Sequence, residues 1–348
     1  MRVVVLAGGT STEREVSIIS GKEIYNALKR KGHKVILLDV STGVSFDKDL
    51  TVNCDFKTLF DRDINWEYVI DQTCYNGDNN YNAVGYFGSN VLSICQEADI
   101  VFIALHGENG ENGKIQACFD LLGIKYTGTD YISSALSMDK GITKDIFLSN
   151  GIMSPEGFRL KKEYLERIDV IQKMIFDNNV GFPCVVKTSC GGSSIGVTIV
   201  QKSSDLIEAV SETFKYGDEI IIERFIPGRE FSIGVIEGDA LPIVEIEPKE
   251  GFYDYTNKYK AGATVETCPA NLDTCSSEKM KEIAQKAFAA LRLKKYARFD
   301  FRMEANTGTI YCLEGNTLPG MTPTSLIPQE AQAVGITFDD LCEKIMSL

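Results

Sequence analysis

The chain has 348 residues, a length that at about 150 residues per domain allows two or three domains and a sizeable buried core. Apolar residues make up 44% and charged residues 24%, which excludes a disordered chain, and 36 basic against 49 acidic residues leave a net charge of −13. A surface this acidic repels phosphate backbones and anionic lipid, so neither nucleic acid nor membrane is expected as a partner, and no apolar run approaches the roughly 20 residues that span a bilayer.

Met1 to Leu6 runs directly into a strand-like segment without a signal-peptide layout, and the expected location is cytoplasmic. Val3 to Ala7 is a continuous apolar run, as in a strand buried on both faces, and Gly8-Gly9 ends it. Thr12 and Glu15 have capping-box spacing and open a helix with apolar positions Val16, Ile19 and Ile24. Lys34 to Val40 reads as a second strand. Ser41 to Asn82, polar and weakly periodic, reads as an elaborated connection and not a core element. Asp99 to Leu105 is a third strand ending at His106-Gly107, and Ile115 to Leu122 is a helix stopped by Gly123. This βαβ pattern predicts a parallel sheet with its ligand site beyond the strand C-terminal ends, where Gly8-Gly9 and His106-Gly107 both fall.

Farther on, Ser134 to Asn150 is predicted as one helix ending at Gly151. Gly181 to Lys187 and Val197 to Val200 are strands joined by the loop Gly191 to Gly196, and a helix follows near Ser204 to Phe214. Glu219 to Phe225, Glu230 to Ile236 and Leu241 to Ile246 read as turn-linked strands of an antiparallel sheet. Gly251 to Gly262 is a long loop, Ser277 to Leu291 a helix, Ala297 to Met303 with Thr309 to Glu314 a hairpin, and Phe338 to Met346 a closing amphipathic helix.

The ten cysteines include no C-x-x-C pair and the only histidines are His33 and His106, a poor basis for structural zinc. The thiols are read as reduced and mostly buried apolar side chains. Gly191-Gly192-Ser193-Ser194-Ile195-Gly196 lets backbone amides approach phosphate closely, although a flexible hairpin loop has the same composition. A Walker A loop is absent: Gly107 to Lys114 has one residue too many and is followed by Ile115. No dinucleotide fingerprint follows Val3 to Ala7. Arg298 and Asp300 alternate along one strand face, and Glu314 and Asn316 share a face of the partner strand. Paired, these oxygens suit Mg2+, or are simply solvated strand ends. Lys140, Lys187 and Lys258 lie beside these features and would serve phosphoryl transfer if they converge.

Ordered blocks along nearly the whole chain resemble the D-alanine-D-alanine ligases of the ATP-grasp superfamily. They are Gly8-Gly9-Thr10-Ser11-Thr12-Glu13-Arg14-Glu15-Val16-Ser17, Ala104-Leu105-His106-Gly107 with Gly110-Glu111, and Ala135-Leu136-Ser137-Met138-Asp139-Lys140. Then come Lys187 with Gly192 to Val197, Phe252-Tyr253-Asp254-Tyr255 with Lys258-Tyr259, and Glu314-Gly315-Asn316-Thr317-Leu318-Pro319-Gly320 continuing to Leu326. The resemblance implies an α/β ATP-grasp fold: a Rossmann-like parallel-sheet domain over 1–128, a small central α+β domain over 129–220, and a C-terminal α+β domain with a largely antiparallel sheet over 221–348. It implies ATP-dependent ligation of two D-alanines through an acyl phosphate, for peptidoglycan synthesis, in a homodimer.

Site roles follow by resemblance, position by position. Glu13 takes the ammonium of the first D-alanine and His106 lines the same subsite. Arg298 and the Gly320 amide hold the oxyanion. Asp300, Glu314 and Asn316 bind two Mg2+, which Mn2+ can replace, with a monovalent cation such as K+ nearby. Lys140, Lys187 and Lys258 neutralise ATP phosphates. Ser193 and Tyr259 form a pair that closes the site with Glu13. Ser325 and Leu326 form the second D-alanine pocket. Glu223, Phe225, Ile226 and Glu230 bind adenosine, with Glu230 on the ribose. Gly251 to Gly262 becomes a lid. Thr188, Asn112, Gly315 and Arg224 depart from the family pattern, Arg224 beside adenine. The rival readings are a ligase joining D-alanine to D-serine or D-lactate, and an ATP-binding pseudoenzyme.

Overall fold

The apolar run behind Met1 forms strand β1 (Arg2–Ala7), between β2 (Lys34–Asp39) and β3 (Ile100–Ile103) in a parallel sheet of order β2-β1-β3. Register pairs Ala7 with Asp39 and Leu6 with Ile103, so the strand C-terminal ends lie together, as the βαβ pattern predicts. The computed structural model describes residues 1–45, 55–75, 85–249, 251 and 262–348.

Helix Arg14–Arg30 covers this sheet through Ile18, Gly21, Ile24, Ala27 and Leu28. Gly21 permits the close approach: a Cβ there would lie 2.6 Å from that of Ala7. The expected capping box does not form. Glu13 holds the cap position without a side-chain cap bond, because its carboxylate is committed to Ser193. Ile19 is 55% exposed, on the face turned from the core.

The stretch expected as a mere connection from Ser41 to Asn82 contributes core. Among its described residues, Leu59 and Phe60 in the turn Phe56–Asp61, and Trp66 and Ile70 in the helix Trp66–Tyr75, are buried in the N-terminal core. Polar composition hid these sparse anchors.

The middle of the chain builds a four-stranded antiparallel sheet, β4 (Gly157–Lys161), β7 (Glu219–Arg224), β5 (Cys184–Thr188) and β6 (Thr198–Val200), in that order. Strand β7 therefore does not join the sheet of its successors as the turn-linked reading expected. It is paired on both edges here, with Ile221 opposite Lys187 and Glu223 opposite Gly157, and a boundary at 220 would cut it.

The large antiparallel sheet runs β11 (Thr264–Thr267), β10 (Val244–Pro248), β8 (Gly228–Ile236), β12 (Tyr296–Glu304), β13 (Ile310–Asn316), with β9 (Asp239–Ala240) on β8. Helix Thr274–Ala290 packs on it through Met280, Ala284, Ala287 and Phe288. The closing helix Phe338–Ser347 packs on the N-terminal core instead, through Leu341, Cys342, Ile345 and Met346, and Arg30 makes a two-bond ion pair with Asp339 at 2.7 and 2.8 Å.

The predicted single helix Ser134–Asn150 is two helices, Tyr131–Met138 and Lys140–Ser149. Asp139 breaks it with extended backbone, caps the second helix by accepting from Ile142 N–H at 3.0 Å, and accepts from Ser189 Oγ at 2.9 Å. Among the described residues no helix is long and apolar enough to cross a membrane. The cysteines with described side chains are free thiols, Cys95, Cys184, Cys312 and Cys342 buried and Cys190 and Cys275 exposed.

Candidate active site

The loops after β1 and β3 deliver Glu13 and His106. Glu13 is buried and hydrogen-bonded to Ser193 Oγ from the central loop. Its carboxylate lies against Gly107 and Gly192, where a side chain would collide; at Gly192 a Cβ would stand 2.6 Å from Oε2. His106 is 5% exposed, with Nδ1 2.9 Å from Leu318 O and Nε2 3.0 Å from Ser20 Oγ. Since a carbonyl only accepts, Nδ1 carries the proton and Nε2 accepts from the hydroxyl. Burial holds the imidazole pKa below its ordinary value despite nearby Glu13, so the ring is neutral at pH 7.

Strands β12 and β13 form the predicted hairpin, with Arg298 opposite Asn316 and Asp300 opposite Glu314. Arg298 pairs with Asp300 through two bonds of 2.9 and 2.8 Å, and Asp300 also accepts from Asn316 Nδ2 at 3.0 Å and Ser232 Oγ at 3.1 Å. Among the described residues no three His, Cys, Asp or Glu side chains converge as metal ligands. Two carboxylates and an amide nevertheless fit a hard divalent cation that takes further ligands from water and phosphate.

Lysines meet the carboxylates of the first cavity. Lys140 Nζ lies 2.6 Å from Gly191 O and 3.2 Å from Glu314 Oε2, linking loop and hairpin. Burial works to lower its pKa, but Glu314 outweighs burial and the net shift is upward, so it is an ammonium. Lys187 and Lys144 flank buried Glu223 at 2.6 and 2.7 Å. Burial alone would raise the Glu223 pKa, and the two ammonium groups bring it below the ordinary value. Ser193 and Ser194 both have left-handed backbone, φ 52° and 58°, a strained conformation of the kind concentrated at functional sites. Glu230 pairs with Arg302 Nη1 at 3.0 Å, and the Arg302 guanidinium lies 5.5 Å from the centre of the Phe225 ring.

Two adjoining cavities result. The first is lined by Lys140, Lys187, Gly191 to Ile195, Glu223, Phe225, Ile226, Glu230, Asp300 and Glu314. The second is lined by Glu13, Val16, Ile19, His106, Arg298, Asn316, Gly320, Ser325 and Leu326. They share Gly192, Ser193 and Glu314. Every predicted site residue with a described position thus lines one or both; Lys258, Tyr259 and the expected lid lie outside the described residues.

The sequence model of the D-ala D-ala ligase N-terminus matches residues 2–129, and that of the C-terminus matches residues 148–347. The chain belongs to the D-alanine–D-alanine ligase family. It is 42% identical over 350 aligned positions to the D-alanine–D-alanine ligase of Pediococcus pentosaceus, covering 99% of this chain and 97% of that one. To the Lacticaseibacillus casei ligase it is 41% identical, covering 100% and 95%. A crystal structure of the Bacillus anthracis ligase complexed with ATP superposes with a TM-score of 0.71 at 28% identity, over 100% of this chain and 96% of that one. The VanG D-Ala:D-Ser ligase of Enterococcus faecalis superposes with a TM-score of 0.76 at 26% identity, over 100% and 98%.

In this ligase fold, the geometry adds contacts that the sequence reading had not assigned. Glu111, half-buried in the second cavity, accepts from the backbone N–H groups of Gly107, Thr317 and Leu318 at 3.0, 3.0 and 2.9 Å. Burial, helped by Glu13, pushes its pKa up to about 7. Lys144 lies one helical turn beyond Lys140, a spacing that could have flagged it. Val16 and Ile19 present an apolar edge to the second cavity, which explains why helix-periodic residues are not in the core. The Ser325 hydroxyl accepts from Thr322 N–H at 3.0 Å and so braces the turn behind Gly320.

Proposed function

We infer that this protein joins two D-alanines into D-alanyl-D-alanine at the expense of ATP, releasing ADP and phosphate for cell-wall synthesis. The observation that carries the reading is the junction of the two cavities at Gly192, Ser193 and Glu314, where a phosphate donor and a carboxylate acceptor can meet.

The reaction runs in two steps. A carboxylate oxygen of the first D-alanine attacks the γ-phosphorus of ATP and ADP leaves. The amine of the second D-alanine attacks the resulting acyl phosphate, and phosphate leaves. In this assignment Glu13 receives the first ammonium, an ionic contact strengthened by burial. Neutral His106 lines the first subsite. Arg298 and the Gly320 amide stabilise the oxyanion of the tetrahedral intermediate. Lys140 and Lys187, with Lys258, answer phosphate charge, and Glu223, Phe225, Ile226 and Glu230 hold adenosine. Asp300, Glu314 and Asn316 would hold two Mg2+, or Mn2+, supplying further charge neutralisation on the phosphates, with K+ as a candidate monovalent ion. Ser325 and Leu326 receive the second D-alanine. Ser193, with Tyr259 by resemblance, serves to exclude water from the site, and exclusion of water protects the acyl phosphate.

Three domains, the central one carried past the expected 220 to the end of β7 at Arg224, a cytoplasmic location and a homodimer complete the proposal. The test is phosphate release with ATP, Mg2+ and D-alanine, with the product identified by mass. An ATP-binding module without catalysis gives neither phosphate nor dipeptide.

A further inference from the structure

Chain passes between the four-stranded sheet and the large sheet at two adjacent places, Met153 to Gly157 on the way in and Arg224 to Gly228 on the way out. Arg224 N–H donates to Glu156 O at 2.8 Å, so the two passages form a neck. Arg224 lies at the edge of the first cavity, but its side-chain donors are all engaged across the neck. Its Nε donates to Glu156 at 2.7 Å, Nη1 to Glu304 at 2.7 Å and Nη2 to Tyr311 Oη at 2.6 Å. The guanidinium also lies 5.2 Å from the centre of the Tyr311 ring. Glu304 ends β12 and Tyr311 is the second residue of β13, the two strands that carry Asp300 and Glu314.

We propose that Arg224 is the hinge stop of the nucleotide cleft, fixing the angle between the sheet that carries Lys187 and the hairpin that carries Asp300 and Glu314. The inference rests on the reading of the first cavity as the ATP site. The walls of that cavity come from both sheets. A nucleotide binding between walls already held at one angle has less motion to arrest, so the stop raises nucleotide affinity without touching the reacting atoms. A planar guanidinium reaches three acceptors in fixed directions, whereas a lysine ammonium on a flexible stem does not hold that fork. Arg224 is thus a positioning residue, and Glu304 is its anchor on the far side of the neck.

The experiment measures initial rates against ATP and against D-alanine for the wild-type chain, Arg224→Lys, Arg224→Ala, Glu304→Gln and the Arg224→Ala/Glu304→Gln pair, with ADP affinity by calorimetry. Removing charge-assisted bonds from the neck should raise KM for ATP and Kd for ADP about ten-fold in Arg224→Ala and a few-fold in Glu304→Gln. The same variants should leave kcat and KM for D-alanine within about two-fold, the signature of lost nucleotide binding alone. Arg224→Lys should not rescue, and the double variant should be no worse than Arg224→Ala. Unchanged nucleotide affinity with a lowered melting temperature would make Arg224 a structural clamp and overturn the proposal. So would additive effects in the pair, or a joint fall of kcat and rise of both KM values. Glu304→Gln and Arg224→Lys keep the test open if Arg224→Ala does not fold. A wild-type chain that binds no ADP at all would overturn the ATP reading itself.

Discussion

Glu111 holds Leu318 across the cleft: its carboxylate accepts the Leu318 N–H at 2.9 Å while the neighbouring His106 donates to the Leu318 carbonyl, also at 2.9 Å. One residue of the turn leading to Gly320 is therefore gripped at both its N–H and its carbonyl by the N-terminal loop. The acid sits beside Glu13, and burial with that neighbour pushes its pKa from the ordinary 4.5 to about 7. An acid whose folded pKa is raised holds a proton in the folded state that the unfolded chain has shed. Stability from this group is thus fullest below about pH 4.5, declines as pH rises through the window to about 7, and is level above it. Glu111→Gln keeps an acceptor for Leu318 N–H but cannot titrate. Urea midpoints at pH 5 and pH 7.5 should fall more for the wild-type chain than for this variant; parallel profiles would remove the titration from Glu111.

Asp139 interrupts what periodicity reads as one helix, and the break aims Lys140 at Gly191 and Glu314. Asp139→Ala loses a helix cap worth about 1 kcal/mol and the bond to Ser189. Calorimetric melting should drop accordingly, and KM for ATP should rise as the lysine loses its support. Asp139→Asn, an equally good cap, should recover most of the melting temperature. Equal losses in both variants would mean that charge, not capping, matters there.

Arg298 faces Asp300 from the same strand and lines the second cavity. Arg298→Ala should cut dipeptide formation on the order of 100- to 1000-fold, the cost of one preorganised oxyanion donor, while ADP still binds. Steady-state turnover near the wild-type rate would sink the oxyanion assignment.

Leu326, only 5% exposed, packs against Val244 and Ile246 at the edge of the second cavity. An apolar wall suits a methyl group and leaves a serine hydroxyl unpaired, at a cost on the order of 1–3 kcal/mol. In competition at equal D-alanine and D-serine, D-alanyl-D-alanine should dominate, with some mixed product because such pockets reject an added hydroxyl only moderately. A mass spectrum dominated by D-alanyl-D-serine would instead align the chain with its structural neighbour VanG.

Local rules in the sequence marked a few candidate positions, and the family resemblance supplied the remaining ones. Alternation along Arg298-Asp300 and Glu314-Asn316 specified one face of a hairpin, and the observed register places these residues directly opposite one another. Apolar runs ending at Gly8-Gly9 and His106-Gly107 specified a parallel sheet with its loops on one side. Only the tertiary structure decided which sheet takes β7, since the same apolar strand pairs equally well in either until Lys187 and Gly157 lie on its two edges. It also decided that Phe338–Ser347 docks on the N-terminal core, that Glu13 serves Ser193 in place of a cap, and that Arg224 bonds to Glu304 across the neck. Each of these depends on partners tens to hundreds of positions away, whose proximity is a property of the packed chain and leaves no periodicity in the sequence.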